Sequence, residues 1–195
     1  MSSSSRCASP EVLTRRGALA ALAAAACAPG IGAKAATLEP PTEVQADLPG
    51  ARLQGQGRMR YFGLHVYDIR LWAPAPLRPD DAMRANAALE IEYARHLVGT
   101  LIAERSMAEM KRIAEVASAD AERWLETMKR LFPDVHAGDR ITGVHRAGEA
   151  ARFHFNGRLL GEVRDAQFAR LFFGIWLSPR TSEPQLRAAL LGQVP

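Results

Sequence analysis

Residues 53 to 74, LQGQGRMRYFGLHVYDIRLWAP, alternate polar and apolar side chains over more than twenty positions. That period of two belongs to an extended chain and commits this part of the protein to a sheet. The stretch reads as one long strand with two chemically distinct faces. Arg58, Arg60, Phe62, Leu64, Val66, Asp68, Arg70 and Trp72 fall on one side; Met59, Tyr61, His65, Tyr67, Ile69 and Leu71 fall on the other. The first side has an apolar middle with guanidinium groups at one end. Arginine's planar fork fits a carboxylate, and a buried unpaired charge is costly. Arg58, Arg60, Phe62, Leu64 and Val66 are therefore the candidate ligand-binding residues, for a molecule with an apolar body and an anionic head.

The rest of the chain supplies partners for that sheet. Leu89, Ile91 and Tyr93 alternate with Glu90 and Glu92 as a half-buried strand. Gly138-Asp139 opens a strand to His145, a turn at Ala147-Gly148 returns it over Ala151 to Phe155, and Asn156-Gly157 is a two-residue hairpin signal leading into Leu159 to Val163. Helical spacing marks Gly99 to Ala117, with Ser106 and Glu109 as a possible capping box for a later start. A second helix begins at Ser118 or Asp120 and stops at Phe132-Pro133. Asp165 caps a helix carrying Phe168, Phe172, Phe173 and Trp176, part of which could roof a cleft. Ser182 and Gln185 suggest a cap for the last helix, which ends at Gly192. The expected class is α+β, an antiparallel sheet with helices against one face.

The first 35 residues lie outside this pattern. Arg15 and Arg16, the alanine-rich run to Ala28, the breakers Pro29 and Gly30, and the small residues Ala33 and Ala35 make an export signal of twin-arginine type. Cleavage is expected between Ala35 and Ala36, giving a periplasmic protein. Lipid attachment at Cys27 is the alternative. The apolar run is too short to span a bilayer comfortably. Residues 36–48, with two prolines and a third at Pro49, read as a linker or edge segment, and 49–195 as the domain. Arg6, Arg15, Arg16, Lys34 and Glu11 leave with the signal, so 25 basic and 21 acidic residues become 21 and 20, a net charge of +1. That balance argues against nucleic acid as a partner. Cys7 and Cys27 also leave, so no disulfide, thiol nucleophile or thiolate metal site is expected.

The order and wording of LQGQGRMRYFGLHVYDIRLWAP, ALEIEYARHL and FNGRLLGEV…FARLFFGIWLSP…LLG resemble the chalcone isomerase-like family in its exported bacterial form, from about Leu48 to Gly192. The resemblance implies an open-faced β-sandwich: a long antiparallel sheet under a helical layer, with the ligand cleft between them. Family members divide between enzymes that close a chalcone into a flavanone and relatives that bind fatty acids. The enzymes' arginine position falls on Met59, between Arg58 and Arg60, and their threonine position on Phe62. Gly99 to Ala117 holds neither the expected tyrosine nor the asparagine. The later hydroxyl position falls near Arg170, and Asp165 to Leu177 holds no serine or threonine. The resemblance thus implies the fold without the donors an enolate needs.

The resulting expectation is a non-catalytic periplasmic protein that binds an amphipathic anion such as a fatty acid. The alternatives are an isomerase of the intramolecular-lyase type, with Arg58, Arg60 or Tyr67 as weak catalytic candidates beside Tyr61 and Tyr93, and a partner-binding module whose cleft its own side chains fill. No cofactor or metal is expected. His136, His145 and His154 stand on separate ladder positions, with His145 opposite Ala150 and Ile141 opposite His154. His65 and Asp68 fall on opposite strand faces. Gly55-Gln56-Gly57 is followed by a strand and is no dinucleotide loop.

Overall fold

The computed structural model describes residues 38–193. The export signal, its cleavage at Ala35 and Ala36, and the Cys27 alternative lie outside the described residues.

The elements of the described residues run in the order α1 (Thr42–Asp47), β1 (Arg52–Tyr61), β2 (Leu64–Ala73), a 3₁₀ turn (Ala82–Arg84), β3 (Ala87–Tyr93), α2 (Gly99–Ile113), α3 (Ser118–Leu131), β4 (Arg140–Arg146), β5 (Ala150–Phe155), β6 (Arg158–Val163), α4 (Ala166–Leu177) and α5 (Pro184–Leu190). The six strands form one antiparallel sheet in sequence order. Helices α2 to α5 cover one face, so the α+β architecture expected from the sequence is the one observed.

The opening stretch is two strands, not one. It reverses at Phe62-Gly63, where both residues have positive φ, +47° and +77°. This is the two-residue hairpin geometry whose twist matches that of the flanking strands. Gly63 takes it freely, whereas Phe62 is held in a left-handed conformation that costs a residue with a Cβ about 1 to 2 kcal/mol. The pairing Met59↔Tyr67 followed by Arg60↔His65 leaves Val66 as a bulge. The bulge brings His65 and Asp68 together, with His65 Nε2 3.2 Å from Asp68 Oδ2, where strict alternation would part them.

Met59, Tyr67, Ile69 and Leu71 share the face that packs beneath the helices. The main core there joins Ile69, Leu89, Phe153, Phe168, Phe173 and Trp124, all essentially buried. Each buried aromatic or branched side chain contributes roughly 1.5–3 kcal/mol relative to exposure. Asp165 caps α4 as expected, its Oδ1 accepting from the amides of Gln167 and Phe168 at 3.0 Å. Ser106 and Glu109 form no capping box. Helix α2 already begins at Gly99, whose amide donates to Asp134 Oδ1 at 2.8 Å, and Ser106 Oγ donates to the Ile102 carbonyl. Helix α5 has no side-chain cap from Ser182 or Gln185.

The other sheet face is largely an ion-pair surface with a small second core. Segment 36–48 is more than a linker, since it contains α1, which crosses that face. Val44, Leu48 and Ala51 bury themselves against Trp72, Ala88 and Val144. Glu43 accepts from Arg140 at 2.9 Å and Thr142 at 2.8 Å, and Asp47 pairs with Arg152. Burial raises the Glu43 pKa, but its backbone, Thr142 and Arg140 together hold the carboxyl below its ordinary value. Strands β4 and β5 pair one residue away from the expected register, Arg146 with Ala150 and His145 with Ala151, because the turn spans three residues. His145 therefore packs inward on Phe173, while His154 faces outward beside Asp47.

Candidate functional site

Between the sheet and helices α2 and α4 lies a half-open cavity of about 460 Å³. Such volumes are typical of small-molecule sites. Its walls are mainly apolar: Met59, Ile91 and Ile141 from the sheet, Ile102 from α2, and Phe172 and Ile175 from α4. The aromatic face of α4 divides in two. Phe172 and Trp176 line the cavity, while Phe168 and Phe173 are core.

Two tyrosines bring polarity into this apolar space. Tyr67 and Tyr93 face each other across β2 and β3, with ring centroids 6.1 Å apart. Trp176 Nε1 donates to the Tyr67 hydroxyl at 3.0 Å, which leaves that hydroxyl's own proton free to donate. Burial pushes the Tyr67 phenol up to about 12, outweighing the Trp176 hydrogen bond, and burial raises Tyr93 as well. Both are neutral donors at physiological pH.

The charges stand at the mouth. Arg95 follows Tyr93 at the end of β3, where the Ala94 amide donates to the Val66 carbonyl at 2.9 Å and ties this segment to the hairpin. Arg95 is exposed, lines the cavity and makes no ion pair among the described residues. Arg105 reaches Glu109 at 2.7 Å, and Glu109 also accepts from Arg112 at 3.1 Å. Glu183 lines the cavity as well.

Of the five candidate ligand-binding residues, only Val66 lines this cavity. Arg58 lies on the ion-pair face, its Nε 2.7 Å from Asp68 Oδ1, and this contact holds its guanidinium pKa above the usual value. Arg60 reaches the Gly63 carbonyl at 3.4 Å. Phe62 and Leu64 are exposed at the hairpin tip. The alternation itself holds, Arg58 pairing with Asp68 on one side and Met59 with Tyr67 on the other, but the cavity lies on the side of Met59 and Tyr67. Among the weak catalytic candidates, Tyr67 lies in the cavity and Arg58 and Arg60 do not. Sequence reasoning passed over Arg95 and Arg105. Arg95 was signalled by the alternation Leu89, Ile91, Tyr93 carried one step further, and Arg105 by its helical spacing from Ile102 and Glu109.

A family profile described as chalcone isomerase-like matches residues 32–192. An uncharacterized protein of Haemophilus influenzae is 27% identical over 147 residues, covering 74% of this chain and 71% of that protein. Among solved structures, a fatty-acid binding protein of Arabidopsis thaliana superposes with a TM-score of 0.59 at 16% identity, over 73% of this chain and 87% of the other. At that identity the likeness is one of fold.

Proposed function

This chain belongs to the chalcone isomerase-like family, and we propose that it is a periplasmic binding protein for an amphipathic carboxylate of the fatty-acid class. The observation that carries the reading is an apolar cavity of about 460 Å³ with an arginine, Arg95, at its mouth that is unpaired among the described residues. An apolar body fills the space between Ile91, Ile102, Phe172 and Ile175, removing its own surface and theirs from water. The carboxylate stays at the mouth, where Arg95 and Arg105 can meet it without full desolvation. Deeper in, the two neutral tyrosines could not compensate a buried anion as a cation does. The fatty-acid binding of the Arabidopsis structural relative supports the ligand class. The export-type leader supports the compartment.

A second reading, an isomerase of the intramolecular-lyase type, is favoured by one observation: Tyr67 presents a neutral hydroxyl, fixed by Trp176, into the cavity. One experiment separates the two. Residues 36–195 are delipidated, offered a series of saturated and aromatic acids in a calorimeter, and the ligand is recovered for chromatography. Binding should saturate at one equivalent, weaken about tenfold in Arg95→Gln, a loss appropriate to one charge-assisted contact, and return the acid unchanged. An acid recovered as an isomer, with the conversion lost in Tyr67→Phe, selects the enzyme. Absence of uptake across the series rejects the binding function.

A further inference from the structure

The two-residue hairpin turn occurs twice in this sheet, with nearly the same backbone. At β5–β6 it is Asn156-Gly157, with φ of +48° and +83°; at β1–β2 it is Phe62-Gly63, with +47° and +77°. Asparagine is among the residues that tolerate the left-handed first position; phenylalanine is not. Phe62 is nevertheless 88% exposed, so packing does not compensate the strain. A strained backbone supporting an exposed aromatic ring points to use of the ring outside the fold.

Its surroundings indicate what that use is. Tyr61 and Leu64 flank it at 57% and 54% exposure, and Tyr61 packs edge-on to Phe62 with centroids 4.6 Å apart. Tyr61 also lines the cavity, as do the exposed Val98 and Leu101 at the start of α2. The apolar surface is therefore continuous with the rim. Two exposed cations at this end have no carboxylate partner among the described residues: Arg60, which reaches only the Gly63 carbonyl, and Arg95. Of the nearby acids, Asp68 is engaged by Arg58 and Glu109 by Arg105 and Arg112, while Glu183 lines the cavity without pairing Arg60 or Arg95. An apolar wedge beside uncompensated arginines matches an anionic bilayer surface, where the ring enters the acyl boundary and the guanidinium groups meet lipid phosphates.

We propose that the β1–β2 hairpin tip docks this protein on anionic membranes, with Phe62 as the wedge and Arg60 and Arg95 as headgroup contacts, so that the cavity mouth opens towards the lipid. Using the docked state to load the cavity rests on the binding function proposed above. The docking itself rests only on the tip.

The decisive variant is Phe62→Asn. It installs the residue that the other hairpin uses, so the fold should be at least as stable to heat as the wild type. Co-flotation is measured for residues 36–195, stripped of ligand, with vesicles of pure phosphatidylcholine and of phosphatidylcholine containing phosphatidylglycerol. The wild type should float with the anionic vesicles, lose binding in high salt and ignore the neutral ones. Phe62→Asn should lower the partition coefficient about tenfold, as expected for withdrawing one aromatic side chain from the acyl boundary. Arg60→Gln and Arg95→Gln should each lower it about fivefold. In Phe62→Trp, binding should persist, with indole emission quenched by brominated lipid beyond that of the wild type.

Equal binding by wild type and Phe62→Asn overturns the proposal. So does a wild type that floats with neither vesicle. In that second case, sedimentation that depends on concentration and is abolished by Phe62→Asn would assign the tip to a second copy of the chain. A protein that docks yet takes up no acid leaves the docking standing and removes the binding function.

Discussion

His145 is buried beneath α4, stacked on Phe173 at 4.8 Å, and neither ring nitrogen forms a hydrogen bond of good geometry among the described residues. Burial pushes its pKa down to about 4, with the Ala85 backbone acting weakly the other way. A free histidine titrates near 6.5. As pH falls below 6.5 the unfolded chain takes up a proton that the folded chain refuses until about pH 4, so stability is lost across that window and is intact above it. The loss should reach about 3 kcal/mol. Denaturant midpoints at pH 7.5 and pH 4.5 should lie well apart in the wild type and draw closer in His145→Phe, the remaining gap including His154, whose pKa burial also lowers. Carboxylates held low by their partners, Glu43 and Asp68 among them, add an acid dependence that begins lower, as pH falls through the carboxylate range. The ligand test belongs at this scale too: one guanidinium, Arg95, separates a head-group site from an apolar pocket.

Among the elements, β1 and α5 show why a glycine can be structural without any turn. A Cβ built on Gly55 would lie 2.2 Å from the Ala189 carbonyl oxygen and 2.4 Å from that of Leu190, both backbone atoms of α5 or its cap. Gly55→Ala must push α5 off the strand and should cost about 1–3 kcal/mol by denaturant unfolding. The glycines of LQGQG thus mark a helix seat, a role the sequence pattern alone does not distinguish from a bulge. Elements whose ends carry their own local chemistry were legible before the structure: the β5–β6 hairpin through Asn156-Gly157, and α4 through its Asp165 cap. The β1–β2 turn was illegible for the converse reason, since Phe62 occupies the position where a turn signal would stand. The bulge at Val66 restores the alternation that this turn shifts, so Met59, Tyr61 and Tyr67 do share a face as the sequence suggests; the site prediction went to Arg58 and Arg60 because the opposite, polar face was taken for the cavity wall. The six-residue α1 was hidden among prolines and has little intrinsic helical stability; its seat on Trp72, Ala88 and Val144 is a tertiary fact. The same Phe62 makes the hairpin tip the element on which membrane docking stands or falls.

At the scale of the molecule, the family's layered plan was readable because motif order survives where single site residues do not. The cleft's contents were not, because they depend on a bulge at Val66 and on where α2 begins. Every strand in the sheet pairs with its neighbour in sequence, and no strand is inserted between earlier ones. Helix α1 departs from this local economy, as α5 does on β1: the Glu43 carboxylate accepts from Arg140 and Thr142, 97 and 99 residues further on. Distant contacts form after the loop between them has closed. Pulse-labelled hydrogen exchange during refolding should therefore find the amides of α1 protected after those of β1 and β2. A meander of this kind can be laid down strand by strand as the chain emerges, first end first. Its opening helix must then wait for the fourth strand, so an element made ahead of the sheet is fastened only once most of that sheet has followed it.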